Sequence, residues 1–327
     1  MYDVKFGLIP LSTDMDDAQA VARRAEAQGF YSLSHNDHFY SPLGSPDIPQ
    51  LECLTVMTVM GMATKTIKLA PAVIAASFRS PPLLAKIVTS IDLATNGRFI
   101  CGLGAGWQGN EYEAHGYPFP PLKQRLEELE ETVQVLKAMW TQEEPAFSGK
   151  YFNVHHAYNN PRPTQKPHPP IMLGGSGTGI LKIAARHADI LNMIPPTGNG
   201  KDFINDPIAT VKFDMATLKD RIAKLHQYCR EIDRDPAEIE LGGLSFVALS
   251  TDGDDPALRE VATHLGFPDY ASAQRAPVAL LGTPDEVKQQ LARRIEETGI
   301  TYYILAMSSP ESQDLFAHEV MPALTAK

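Results

Sequence analysis

Apolar residues along this chain follow two alternating rhythms. Short continuous apolar blocks of strand length are followed by longer stretches in which apolar positions recur every three or four residues, the period of an amphipathic helix. "KFGLIP" (5–10) is the first block, and a helical pattern then covers Asp14 to Gln28 and stops at Gly29. Glycine there suits the left-handed turn that commonly ends a helix. "YSLSHND" predicts a second strand and "ECLTVMTVMGMAT" its helix; "IKLAPAV" and "PLLAKIVTSIDLAT" repeat the unit and close on an Asn96-Gly97 turn. "RFICGLGAG" is the fourth strand. Leu122 to Trp140 carries the strongest helical pattern, with Leu126, Leu129, Val133, Leu136 and Met139 on one face.

From 141 to 170 the rhythm breaks into a stretch rich in Pro, Asn and aromatic residues, which reads as an insertion. Units resume with "IMLGG", a helix over 177–187 and "DILNMI", followed by a Gly/Pro/Asn-rich segment at 195–206 and a long helix from about Pro207 to Ile232. "EIELGGLSFVALS" is the seventh strand, and 251–282 reads as irregular. Thr283-Pro284-Asp285-Glu286 is a capping box that opens a helix to Glu297, "TYYILAM" is the eighth strand, and 311–324 the last helix. Strands alternating with helices predict a parallel sheet. Eight of them is the number that closes into a (β/α)8 TIM barrel, with a doubly wound open sheet as the structural alternative. The expectation is one α/β domain over 1–327, with insertions near 141–170, 195–206 and 251–282.

Composition narrows the function classes. An apolar fraction of 43% over 327 residues is ample for a large core. The net charge of −10 comes from mixed signs with no basic face, which speaks against binding a nucleic-acid backbone. Cys53, Cys101 and Cys229 lie far apart, which disfavours a zinc knuckle or a disulfide framework and suits a reducing cytoplasm. "MYDVKFGLIP" enters structure without the charged and apolar regions of a secretion signal, and no apolar run approaches the roughly 18 residues that span a bilayer. A cytoplasmic protein acting on a small molecule, with neither nucleic acid nor membrane as partner, is the expectation.

In an eight-stranded barrel the chemistry sits just after the strands. After strand two, "SHNDHF" (34–39) sets His35, Asp37 and His38 within four positions. Alternate strand residues face opposite ways, so the three cannot serve one purpose. His38 reads as an acid–base group at the barrel mouth with Asp37 as a fixed acceptor; a polar strand cap without chemistry is the plainer reading. No metal site is expected, because strand one offers only Lys5, and His187 and Asp189 precede strand six. His155 and His156, in the insertion, read as surface residues. There is no GxSxG elbow, and no cysteine has an evident base, so nucleophilic catalysis has no support. "GGSGTG" (174–179) feeds a helix N-terminus, which either holds a phosphate or is simply a tight turn. Gly102, Gly104 and Gly106 alternate, which either bares main chain for a flat ring or allows close packing of neighbouring elements.

These segments, with "FRSPPLLAKIVTSIDLATNGR" (78–98), "GLGAGWQGNEYEAHGYPFPP" (102–121), "FSGKYFNV" (147–154), "PRPTQKPHPPIMLGGSG" (161–177) and "AARHADILNM" (184–193), resemble the bacterial luciferase-like monooxygenase superfamily, especially its coenzyme F420-dependent oxidoreductases. The resemblance runs along most of the chain. It implies a TIM barrel holding a tricyclic ring at its mouth, with His38 as the proton-transfer group and Asp37 beside the ring. Ala72-Val73 matches the family's non-prolyl cis bond behind the ring, Gln108 and Glu111 its edge contacts, and Gly174, Gly175, Ser176 and Gly177 its phosphate grip. The implied activity is hydride transfer between F420 and a small organic substrate, with an FMN-dependent two-component monooxygenase using reduced flavin and oxygen as the alternative. Arg79 is the one cation the reading names for the polyglutamate tail of F420. The segments at 195–206 and 251–282 are expected to roof the substrate, and the resemblance allows a homodimer and a separate reductase supplying reduced cofactor.

Overall fold

A computed structural model describes residues 3–42, 45, 47–195 and 211–325. Most of the expected 195–206 loop and the start of the helix expected from Pro207 therefore lie outside the described residues.

The strands are β1 (Lys5–Ile9), β2 (Ser32–Leu33), β3 (Lys68–Leu69), β4 (Ile74–Ala75), β5 (Cys101–Gly104), β6 (Phe147–Ser148), β7 (Asn153–Val154), β8 (Ile171–Gly174), β9 (Ile190–Met193), β10 (Glu240–Leu249), β11 (Ala279–Gly282) and β12 (Tyr302–Met307). All but β6 and β7 belong to one parallel sheet of order β3-β2-β1-β12-β10-β9-β8-β5-β4, with β11 beside β10. A parallel bridge between Leu69 of β3 and Phe99, just before β5, sets β3 beside the same neighbour that β4 pairs with. β3 and β4 are thus one barrel strand in two pieces, separated by a stretch that contains the cis Ala72–Val73 peptide. Eight staves close the ring. β6 and β7 form an antiparallel hairpin inside the 141–170 insertion.

Helices follow the staves: α1 (Met15–Ala27), α2 (Cys53–Ala63), α3 (Pro81–Ala94), α4 (Gly109–Ala114), α5 (Leu122–Thr141), α6 (Thr178–His187), α7 (Met215–Arg230), α8 (Pro256–His264), α9 (Tyr270–Arg275), α10 (Pro284–Thr298), α11 (Pro310–Leu315) and α12 (Met321–Leu324). Local chemistry sets their ends. Asp14 accepts from the Asp16 and Asp17 amides at the start of α1, and Gly29 follows its end at φ 86. Thr283 and Glu286 make both bonds of the capping box that opens α10.

Two expectations about the helices need correction. α7 does not continue back to Pro207, because Asp214 caps it anew by accepting from the Thr217 amide. The 251–282 stretch is not irregular: Asp255 and Asp269 each cap a short helix, and β11 follows. Leu258, Ala262, Ala273 and Leu280 from it are buried in the main core, so it packs as a wall. The last helix lies where expected, from Pro310 to Leu324, and passes through a π-helical turn at Phe316–Val320.

Apolar packing divides into a large layer between staves and helices, a small cluster inside the barrel, formed by Ala70, Ile100, Met172, Ile190, Tyr302 and Ile304, and a third cluster of Ala75, Phe78 and Tyr112. The N-terminal end of the barrel is closed by satisfied polar pairs. Ser32 Oγ and Tyr302 Oη share a hydrogen bond of 2.6 Å, and Lys5 Nζ reaches Glu240 at 2.9 Å.

Candidate active site

The rim segment after β2 stays in register with its neighbours. The Ser34 amide donates to Leu8 O (2.8 Å) and the Ala72 amide to His35 O (3.0 Å), so residues 34–38 continue the stave to the mouth. Ser32 faces into the barrel, where it meets Tyr302, and alternation sends Ser34 the same way.

His38 donates from Nδ1 to Glu111 Oε2 at 2.8 Å, and its ring stands edge-on to Trp107 at 5.4 Å between centroids. The other carboxylate oxygen of Glu111 accepts from the Phe39 amide at 2.5 Å. Glu111 is fully buried. Its two oxygens are thus engaged by the His38 ring and the Phe39 amide, and it braces His38. A carboxylate on Nδ1 fixes the tautomer and leaves Nε2 as the nitrogen able to exchange a proton.

Asp37 is likewise engaged by the chain. Its Oδ2 accepts from the Ala75 amide (3.0 Å), and both oxygens are gripped by Arg79, at 2.7 and 3.0 Å. Arg79 also reaches Glu52 Oε1 at 2.5 Å. Burial disfavours the guanidinium charge, but its bonds to Asp37 and Glu52 outweigh that and hold the pKa above its ordinary value. Arg79 is thus committed to two carboxylates and is no longer the cation named for an anionic tail. Burial pushes the neighbouring His35 below its ordinary pKa, which favours the neutral ring.

The glycine row is not bare main chain. A Cβ on Gly104 would lie 2.5 Å from Val73 Cγ2, and one on Gly174 would lie 2.8 Å from Val73 Cγ1. A Cβ on Gly102 would collide with Pro71 O, and one on Gly106 with the Tyr112 hydroxyl. The missing side chains make room for the bend that carries the cis Ala72–Val73 peptide. Close packing is the reading that holds, and it sets the Val73 side chain between Gly104 and Gly174.

Gln108 is the N-cap residue of α4, and its Oε1 is buried without a partner. At the head of α6, Gly175 adopts φ 135 and Gly177 is the N-cap, with no side chain capping the first turn. First-turn amides without a side-chain cap are a ready anion site. The Ser176 hydroxyl turns instead to Ile194 O at 2.5 Å. Two rim residues escaped the sequence reading: Ser34 Oγ and Asn192 Oδ1 are buried and unpartnered. A lone Asn at the parity of Ile190 in "DILNMI" was the available signal. Among the described residues no group of three or more His, Cys, Asp or Glu gathers to hold a metal.

The site suits a ring with an anionic tail on three grounds: orphaned buried polar atoms at the rim, a proton-carrying His held by a buried carboxylate, and an uncapped helix start. The model of the family described as luciferase-like monooxygenase matches residues 6–204, and the chain belongs to that family. Among its relatives, the FMNH(2)-dependent dimethylsulfone monooxygenase of Pseudomonas putida is 33% identical over 179 residues, which are 54% of this chain and 48% of that one. This chain thus matches about half the length of that enzyme. An F420-dependent glucose-6-phosphate dehydrogenase of Kineococcus radiotolerans is 28% identical over 280 residues, 84% of this chain and 77% of the relative. A solved F420-dependent secondary alcohol dehydrogenase superposes with a TM-score of 0.80 at 23% identity, covering 99% of this chain and 100% of that one, which shows the shared fold.

Proposed function

We propose that this protein is an F420-dependent oxidoreductase that moves a hydride between the deazaflavin and a small organic substrate. When bound, the deazaflavin supplies a two-electron hydride donor or acceptor. The chain supplies the rest. Val73 backs the ring, the α6 N-terminus around Gly174, Gly175 and Gly177 holds its phosphate, and Gln108 offers a polar contact at the rim. His38 exchanges a proton with the substrate oxygen through Nε2, while Glu111 keeps the imidazole oriented. Asp37 and Arg79 lock the strand that carries His38 against β4. The observation that carries this reading is the 2.8 Å contact between His38 and a fully buried carboxylate at the barrel mouth.

Support for F420 comes from the breadth of the likeness to F420-dependent relatives, one of which aligns over 92% of both chains at 27% identity. The likeness to the FMNH(2)-dependent enzyme supports the second reading, an FMN-dependent monooxygenase fed by a separate reductase. A spectral titration separates them. Binding of F420 is expected, whereas tight binding of FMN with none of F420 overturns the cofactor assignment. Oxygen consumption with reduced FMN would then identify the monooxygenase.

We propose also that the protein acts in the cytoplasm, in keeping with three buried free cysteines, and that it pairs with itself. Met62, Leu83 and Leu93 are exposed on the outer faces of α2 and α3, which suits self-association. A sedimentation measurement that finds monomers at micromolar concentration overturns the dimer. Among the described residues no helix is long and apolar enough to cross a membrane.

A further inference from the structure

Asn192 stands in an unusual setting. It is 3% exposed, and its Oδ1 has no hydrogen-bond partner. Ile190, two residues earlier on β9, belongs to the cluster inside the barrel, so alternation turns Asn192 inward as well. It is nearer the mouth than Ile190, because the C-terminal ends of the staves form the rim. Its neighbours in register are Gly174 on β8 and Gly242 on β10. Neither has a side chain of its own, so no Cβ from β8 or β10 stands directly beside the carboxamide. The far side of Gly174 is occupied by Val73 Cγ1, which puts Asn192 and the residue backing the ring on either side of one glycine.

Ser34, the other inward polar residue near the rim, is likewise without a partner, whereas the inward group at the closed end is satisfied. Ser32 lies at the closed end of the same cavity and is bonded to Tyr302. Buried polar groups are rarely left without a partner, and an orphan at a mouth points to a ligand. The partner must be polar, must lie in the plane of a carboxamide and must present a donor to Oδ1.

We propose that Asn192 recognises the imide edge of the cofactor ring, the carbonyl, N–H, carbonyl run that isoalloxazine and 5-deazaflavin share. Oδ1 accepts from the ring N–H and Nδ2 donates to an adjacent ring carbonyl, the paired arrangement that side-chain amides use on nucleobase edges. Asn192 is a positioning residue here: it sets the rotation of the ring over Val73 and so the distance of its reacting carbon from His38. The inference rests on the ring-binding reading above.

The test measures binding rather than turnover. Fluorescence titrations use FMN and F420, each beside its derivative methylated on the imide nitrogen, against the wild type and Asn192→Ala. For whichever cofactor binds, the wild type is expected to disfavour the methylated form by roughly tenfold, the value of one good hydrogen bond. Asn192→Ala is expected to bind the parent more weakly and to treat both forms alike. Asn192→Ser provides the same comparison should the alanine variant fail to fold. Equal binding of the two forms by the wild type overturns the proposal, as does discrimination that survives in the variants. If neither parent cofactor binds the wild type, the ring-binding reading itself fails. Binding without discrimination sinks only the role of Asn192.

Discussion

The two ends of the barrel are both polar, but in opposite ways. At the closed end every polar group just described meets another part of the chain: Ser32 with Tyr302, and Lys5 with Glu240. Burial pushes the Tyr302 hydroxyl above its ordinary pKa, so it stays a neutral member of the pair. At the rim, Ser34, Gln108 and Asn192 keep polar atoms buried without a partner. Ser32 and Ser34 sit two residues apart on one stave and differ in this respect alone. Groups that answer one another hold a fold together, whereas unpartnered groups gathered at the mouth of a barrel, where ligands of this fold bind, are available to one.

The largest effect is expected from His38, the rim residue proposed to exchange a proton. His38→Ala should lower kcat by about 10²- to 10⁴-fold, the usual contribution of a general acid or base. Cofactor affinity should stay near that of the wild type, because His38 is held by Glu111 and not by the ring. Steady-state kinetics beside a binding titration decide this. Turnover that survives the substitution would break the assignment of chemistry to this end.

A smaller effect tests whether the glycines of the rim serve packing or ligand. Gly104→Ala forces a Cβ to within 2.5 Å of Val73 Cγ2. Overpacking of this kind costs about 1–3 kcal/mol. The loss should appear in denaturant unfolding of the cofactor-free protein. A variant of unchanged stability that merely binds the ring less well would restore the idea of bare main chain under the ring.

The serine pair sharpens the comparison directly. Ser32→Ala leaves the Tyr302 hydroxyl buried and alone, and should cost about 1–2 kcal/mol. Ser34→Ala removes an atom that already lacks a partner, so the cofactor-free protein should keep its stability. Chemical unfolding of the two variants side by side checks both, and equal losses would erase the distinction between the ends.

Much of this was legible beforehand, for identifiable reasons. Staves are fully buried, so each appears as an apolar block between polar helices, and "IMLGG", "DILNMI" and "TYYILAM" fall where β8, β9 and β12 lie. Caps are local, so Thr283 and Glu286 announced α10. What escaped was relational. The partner of a buried carboxylate cannot be read from spacing, and so the bonds of Asp37 with Arg79 and of Glu111 with His38 were not foreseen. A missing side chain leaves no trace of what fills its place, and Val73 fills the gap at Gly104. α8 and α9 are too short for a period to emerge between Asp255 and Arg275. Asn192 is one polar letter in an apolar strand, and its flanking glycines come from strands 18 and 50 residues away in sequence.

The smallest effect probes the satisfied end through pH. Glu26 Oε1 on α1 accepts from the amides of Lys65 (2.8 Å), Thr66 (2.6 Å) and Ile67 (3.0 Å), which lead into β3 at the closed end. Burial alone would raise its pKa, but these backbone bonds outweigh it and bring the carboxyl from 4.5 down to about 2. A carboxyl whose folded pKa is depressed adds stability above its unfolded pKa, and that stability drains away as pH falls through the folded value. For Glu26 the window therefore runs from about 4.5 down to about 2. Solvent screening at this half-exposed position keeps the contribution to about 1 kcal/mol. Glu26→Gln should be less stable than the wild type by that amount at neutral pH, and the two unfolding curves should converge through the acid window. A constant gap between them across that window would mean that the charge of Glu26 contributes nothing to holding α1 against the entry to β3.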